Sequence, residues 1–273
     1  MSATSMIVSD LDRARYATDG AICLRGLFTA DEVALMKQGI ERNLADPGPL
    51  AIVASKPEDP GFFIEDFCNW QRFSEYETII RHSKVAQAAA ELTCSQTVRF
   101  FHDHLLVKEP RTAQRTPWHQ DQPYYNVEGR QNVSVWIPVD PVPKASSLEM
   151  IAGTHLGPWY MPRSFKDQQA KWFQPGELQD LPDIASNPDA FPILSWALEP
   201  GDAVCFNMLT LHGSAGVSGS HRRRVLSLRF LGDDMRHAPR RWATSPDFPG
   251  LTHELAAGAP MDHPLFPVVW SQG

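Results

Sequence analysis

Beyond Thr97 the chain stops reading as helical. The runs "TVRFFHDHLLVKE", "QNVSVWIPVDPV", "DAVCFNMLTLHG" and "RRVLSLRFLG" are short, rich in Val, Leu, Phe and Trp, and bounded by Pro, Gly or Asn. Branched and aromatic side chains suit a pleated, half-buried surface, while Pro and Gly interrupt it. Pro is abundant, at 23 residues, and falls mainly between these runs. Such a segment folds as an antiparallel β body. Upstream, "DGAICLRGLF" reads as a short strand. "TADEVALMKQGIERNLAD" reads as a helix to about Leu44, opened by a Thr29/Glu32 capping box. In "SEYETIIRHSKVAQAAAELT", Ile79, Ile80, Val85, Ala86, Ala89 and Ala90 recur at helical spacing and predict a second helix. Helices followed by strands predict one domain over 1–273, mainly β with flanking helices. The helical part runs to about 96, the β body spans about 97–235, and a C-terminal tail covers 236–273.

The bulk numbers narrow the function. Of 273 residues, 42% are hydrophobic and 21% charged, the balance of a globular protein with a sizeable core. A net charge of −7 gives no basic footprint, so nucleic acid is not an expected partner. Cys23, Cys68, Cys94 and Cys205 are scattered without a CxxC pair, which suits reduced, mostly buried thiols. The N-terminus carries acids early and no long apolar stretch, unlike a secretory signal. No apolar run approaches the ~20 residues that span a bilayer. These features predict a cytoplasmic monomer or homodimer acting on a small molecule, with no membrane partner.

Chemistry enters at "TPWHQDQPYY". On an extended segment residues i and i+2 share a face, so His119 and Asp121 can clasp one metal ion. They can equally pair as base and orienter, or sit on a polar surface. The run "NMLTLHGSAG" offers His212 as a third ligand from another strand. Two His and one carboxylate on one face of a metal leave its remaining positions open, as in non-haem Fe(II) oxygenases. Eleven residues after His212 comes Arg223. By alternation it shares a face with Val225, Ser227 and Arg229, and its guanidinium can grip a carboxylate in a fork.

These stretches, with "VWIPVDPV", "SSLEMIAGTHLG" and "LHGSAGVSGSHRRRVLSLRF", resemble the phytanoyl-CoA dioxygenase family of Fe(II)/2-oxoglutarate oxygenases over about Val98 to Phe230. The resemblance implies a double-stranded β-helix, a cupin-like jelly roll. It implies iron ligands His119, Asp121 and His212, and Arg223 on the distal carboxylate of 2-oxoglutarate, with Ser227 and Lys108 beside it. Molecular oxygen is the other co-substrate, and succinate and CO2 are released as the substrate is hydroxylated. An Asp at position 121 favours hydroxylation over halogenation. Between Val142 and Ser147 the chain lacks the Asn-Gly pair common in the family, which affects a turn.

His104, Tyr125 and Trp136 are expected to shape the substrate pocket, with His102 structural. Lys108 reads equally as a solvated strand end. Most arginines between His221 and Arg241 are expected to pair at the surface with Asp233 and Asp234. Any left over would suit a small polar or anionic substrate, such as an aminophosphonate or amino-acid-derived zwitterion. The polar segment 162–192, with Trp172 and Phe173, is expected to act as a lid. Competing readings are a non-catalytic cupin-type metal sensor, a hydroxylase of an acyl-CoA or natural product, and a hydrolase using His119 and Asp121. The last lacks a GxSxG elbow.

Overall fold

The structure, a computed structural model, describes residues 6–162, 178–217 and 220–273. Helices α1 (Asp10–Asp19), α2 (Ala30–Ala45), α3 (Ser74–His82) and α4 (Val85–Thr93) precede the β body, and a short α5 (Leu251–Glu254) follows it. The strands are β1 (Ala21–Leu24), β2 (Ile52–Val53), β3 (Phe63–Phe67), β4 (Thr97–Lys108), β5 (Thr116–His119), β6 (Val127–Glu128) and β7 (Asn132–Pro138). They continue with β8 (Leu148–Ile151), β9 (Ile193–Leu194), β10 (Ala203–Phe206), β11 (His212–Ser214), β12 (Arg223–Leu231), β13 (Arg236–His237) and β14 (Val268–Ser271).

Local chemistry sets the helix ends. Ser9 accepts the Asp12 amide at the start of α1, and Gly20 closes it at φ 77°. A Cβ at Gly20 would lie 2.4 Å from His155 Nδ1, so the position needs glycine for both space and backbone. The Thr29/Glu32 capping box opens α2 as expected. The expected single second helix is in fact two. Ser83 is extended between them, with its hydroxyl donating to Ile79 O and accepting from Val85 N. A serine hydroxyl competes with the helix ladder, and the break lets α3 and α4 each turn an apolar face into one core.

Two sheets form the body. The larger runs β1-β10-β7-β12-β4-β3-β2, with β14 also on β4; the smaller runs β5-β11-β8-β9; β13 and β6 form a ribbon. On the larger sheet, Val133, Val135, Ile137, Leu226, Leu228 and Phe230 pack with the helices. The alternate positions Trp136, Val204, Phe206 and Val225 pack with Leu148 and Met150 of the smaller sheet. Each such buried side chain contributes roughly 1.5–3 kcal/mol. The fold is therefore mainly antiparallel β with flanking helices, as the strand pattern predicts.

Two boundaries differ from expectation. The N-terminal part supplies strands β1, β2 and β3 to the main sheet. The C-terminal stretch is no tail: β14 pairs with Val98 and Arg99 on β4, and Phe266 is fully buried. Sheet edges present unpaired amides and carbonyls, and distant strands satisfy them. No helix among the described residues is long and apolar enough to cross a membrane.

Candidate metal centre

The inner face of the larger sheet carries the polar groups. The register sets Phe67, His104, Ser227 and Trp136 in one cross-strand row. His102, Arg229, Ser134 and Phe206 form the next. Opposite them, His119 at the end of β5 and His212 at the start of β11 are direct cross-strand partners, with ring centroids 4.2 Å apart.

Asp121 joins this pair by a different route from simple alternation. It lies in helical backbone, opening a tight turn over Gln122–Tyr124, so the chain bends immediately after β5. The bend brings Asp121 Oδ1 to 3.5 Å from His119 Nε2 and 3.7 Å from His212 Nε2. Ligand atoms from all three buried residues lie within 4.8 Å of one another.

The ring orientations fit a metal. His119 Nδ1 donates to Pro117 O and His212 Nδ1 to Thr210 O, both at 2.8 Å. A carbonyl can only accept, so Nδ1 carries the proton and the Nε2 lone pair faces the shared point. Burial, then the neighbouring His119, pushes the His212 pKa down to about 3, keeping it neutral and able to ligate.

The second Asp121 oxygen is held from behind. Oδ2 accepts from Ser134 Oγ at 3.0 Å and from Arg229 at 3.3 Å. Burial opposes ionisation, but the Arg229 guanidinium and the two imidazoles hold the Asp121 carboxyl well below its ordinary range. Arg229 also donates to Tyr125 Oη, Ser227 O and His104 Nδ1. A guanidinium has no acceptor, so His104 Nδ1 must accept and Nε2 carries its proton toward Glu65 Oε2, 3.2 Å away. Burial, then the Arg229 charge, holds His104 well below its usual pKa, hence neutral.

Two recesses meet at the triad. One runs inward past His104, Trp136, Phe206, Ser214 and Ser227 to Arg223. Arg223 is buried, donates to Ser146 O and Ser214 Oγ, and lies over the Trp136 ring. Among the described residues no carboxylate forms an ion pair with it, and burial lowers its pKa to about 10. The Ser227 hydroxyl in the same recess is buried, and among the described residues it has no hydrogen-bond partner. The other recess opens outward between Ile52, Glu65, Phe67, Tyr124 and Ser245.

Several expected residues sit elsewhere. Lys108 is neither a solvated strand end nor part of the wall of either recess. It is buried, with Nζ donating to Gln114 O, Thr116 Oγ1 and Ala215 O. Trp136 belongs to the inner recess, and Tyr125 to the outer one. The arginines do not pair with Asp233 and Asp234 side chains as expected. Arg222 bridges Glu41 and Glu109, Arg224 forks onto Asp140, and Arg240 pairs with Glu128. Asp233 and Asp234 instead cap the backbone amides of Gln96, Thr97, Arg130 and Gln131. Arg229 and Glu65 have no motif signal in the sequence. Only alternation with Arg223 placed Arg229 on the site face.

Residues 163–177, with Trp172 and Phe173 of the expected lid, lie outside the described residues. Beyond them, Leu181 and Ile184 pack with Ile151 and Leu211 against the smaller sheet.

The geometry now meets known proteins. The model of the phytanoyl-CoA dioxygenase family matches residues 16–225, most of the chain. The chain belongs to this family. A peroxisomal phytanoyl-CoA dioxygenase of Rattus norvegicus is 23% identical over 244 residues, covering 85% of this chain and 64% of that protein. A probable phytanoyl-CoA dioxygenase of Caenorhabditis elegans is 26% identical over 139 residues, covering 49% of this chain and 43% of that protein. The chain thus spans less than two thirds of either curated relative's length.

Among solved structures, the α-ketoglutarate-dependent epimerase SnoN, in complex with Fe3+, α-ketoglutarate and nogalamycin RO, superposes with a TM-score of 0.73. It is 22% identical, covering 94% of this chain and 97% of that one. EctD of S. alaskensis, with 2-oxoglutarate and 5-hydroxyectoine, superposes with a TM-score of 0.70 at 19% identity, covering 94% and 87%. At such identities the likeness shows the shared double-stranded β-helix.

Proposed function

We propose that this member of the phytanoyl-CoA dioxygenase family is an Fe(II)- and 2-oxoglutarate-dependent oxygenase that hydroxylates a small polar molecule. One observation carries the reading. A buried His-Asp-His face and a buried arginine without a carboxylate partner among the described residues line one recess. SnoN was solved with Fe3+ and α-ketoglutarate and EctD with 2-oxoglutarate, which adds support for the class of co-substrate.

His119, Asp121 and His212 would hold the iron. Arg223 would bind the distal carboxylate of 2-oxoglutarate, with the orphaned Ser227 hydroxyl able to donate a second hydrogen bond there. When bound, ferrous iron with 2-oxoglutarate as co-reductant supplies oxidation of a C–H bond by molecular oxygen, releasing succinate and CO2. The chain's own contributions are positional. Pro117 O and Thr210 O orient the imidazoles, while Ser134 and Arg229 fix one Asp121 oxygen so that the other faces them. Phe206 and Trp136 give the inner recess aromatic walls.

Succinate formation from 2-oxoglutarate, screened against small acids, amines and zwitterions, tests the reading. Replacement of His119, Asp121 and His212 together by Ala should abolish both Fe(II) binding and turnover. Persistence of either overturns the assignment.

A further inference from the structure

A second buried cation stands behind the wall of the inner recess. Lys108 on β4 is the direct cross-strand partner of Arg223 on β12, and both side chains are buried. Lys108 Nζ lies 4.7 Å from the centre of the Phe63 ring. It makes three hydrogen bonds, to Gln114 O at 2.8 Å, Thr116 Oγ1 at 3.2 Å and Ala215 O at 3.4 Å. Burial, then the Arg223 charge beside it, pulls the Lys108 pKa well below its ordinary value. An anion in the recess offsets both charges and favours the ammonium.

Thr116 connects Lys108 to the recess. On β11 a step of two residues, from His212 to Ser214, is matched on β5 by a step of three, from His119 to Thr116. Simple alternation would turn Thr116 away from the face of His119. The extra residue makes a bulge, which re-aims a side chain, and both residues line the inner recess. There Thr116 is the cross-strand partner of Ser214, to which Arg223 also donates.

The protons can be followed atom by atom. A hydroxyl has one proton and two lone pairs, and an ammonium only donates. With Lys108 charged, its three protons serve the three oxygens around it. Thr116 Oγ1 then accepts, and its own proton must point away from Lys108. Among the described residues that proton has no acceptor, and the recess is the space left to it. With Lys108 neutral, two protons serve the two carbonyls and the lone pair accepts from Thr116, which withdraws the hydroxyl proton from the recess.

We infer that Lys108 is a positioning residue for the co-substrate: as an ammonium it turns the Thr116 hydroxyl proton into the inner recess, where that proton is donated to the distal carboxylate of 2-oxoglutarate beside Arg223. The inference rests on the oxygenase reading above and deepens it.

The test uses the full chain loaded with Co(II). It is titrated calorimetrically with 2-oxoglutarate and with 2-oxobutyrate, which has the same keto-acid end and no distal carboxylate. Lys108→Met should weaken 2-oxoglutarate binding roughly tenfold, the loss expected when one hydrogen bond to a charged group goes. Binding of 2-oxobutyrate and Co(II) affinity should not change. Thr116→Val should show the same split, while Thr116→Ser, which keeps the hydroxyl, should bind both acids like wild type. The double variant Lys108→Met, Thr116→Val should be no weaker than the weaker single variant, because the two side chains act through one hydrogen bond. Equal losses for the two acids in Lys108→Met would mean that Lys108 only supports the fold, and would overturn the inference. Unchanged 2-oxoglutarate binding in that variant, or additive losses in the double variant, would overturn it too. If Lys108→Met does not fold, the uncharged Lys108→Gln takes its place, with the same split between the acids expected. If instead the wild-type protein binds neither Co(II) nor 2-oxoglutarate, the oxygenase reading beneath the inference fails.

Discussion

Arg229→Met removes the guanidinium that, among the described residues, pairs with Asp121 from the protein side. In the metal-free protein the Asp121 carboxylate would then be buried with Ser134 as its remaining Oδ2 partner. Breaking one side of a buried ion pair typically costs about 3–5 kcal/mol, because the surviving charge is left uncompensated. Unfolding entropy of about 2.1 cal/mol/K per residue makes each kcal/mol worth about 2 °C in a chain of this length. The metal-free Tm should therefore fall by about 5–9 °C, measured by calorimetry. Metal affinity should fall too. Removing a group that orients a ligand from outside typically costs 10–100-fold, read here by Co(II) titration of the visible spectrum. A double-mutant cycle with Asp121→Asn should return a coupling of at least about 1 kcal/mol, since the two side chains touch. A Tm within about 2 °C of wild type, or a coupling near zero, would refute the claim that Arg229 acts through Asp121.

The remaining expectations are simpler. Arg223→Lys should raise the apparent Michaelis constant for 2-oxoglutarate roughly 10–100-fold, because a point ammonium cannot reproduce the guanidinium fork. Arg224→Lys, whose side chain is bound to Asp140, should leave that constant unchanged; equal effects would move the role off Arg223. Ser227→Ala should be close to neutral in stability, since the hydroxyl it removes has no hydrogen-bond partner among the described residues, yet weaken 2-oxoglutarate binding severalfold by calorimetric titration. His102 is buried, and burial followed by the Arg229 charge lowers its pKa to about 3. Between that value and the unfolded value of about 6.5 the unfolded chain holds one more proton. Stability is then lost as pH falls, at about 1.4 kcal/mol per pH unit. His102→Gln should show a shallower acid profile by that amount in denaturant titrations from pH 7 to 4; parallel profiles would remove His102 as the source.

Much of the molecule was legible in one dimension. Strand texture after Thr97 announced the β body, because alternation and turn residues are local properties of the chain. The capping box at Thr29 and Glu32 placed the start of α2 for the same reason. The order of His119, Asp121 and His212 picked out three side chains whose ligand atoms the fold brings within 4.8 Å of one another, with Arg223 in the same recess, since spacing survives without coordinates. The break at Ser83 was hidden, because helical spacing continues across it while the hydroxyl quietly replaces the ladder.

Partnership was beyond the sequence altogether. Periodicity says which face a side chain occupies, but not which group stands opposite. Alternation put Arg229 on the face of Arg223, but only the register of β12 between β4 and β7 set it under Asp121. Lys108 read equally as a neighbour of the co-substrate and as a solvated strand end, and the chain near Gln114 and Ala215 closes over it instead. Glu65, in a segment read without any motif, reaches the site only because β3 pairs with β4 and sets Phe67 across from His104. Asp121 meets the two imidazoles through a bend after β5, not through extended alternation. Each of these depends on contacts between residues far apart in the chain, and such contacts are chosen by the whole core rather than by any local stretch.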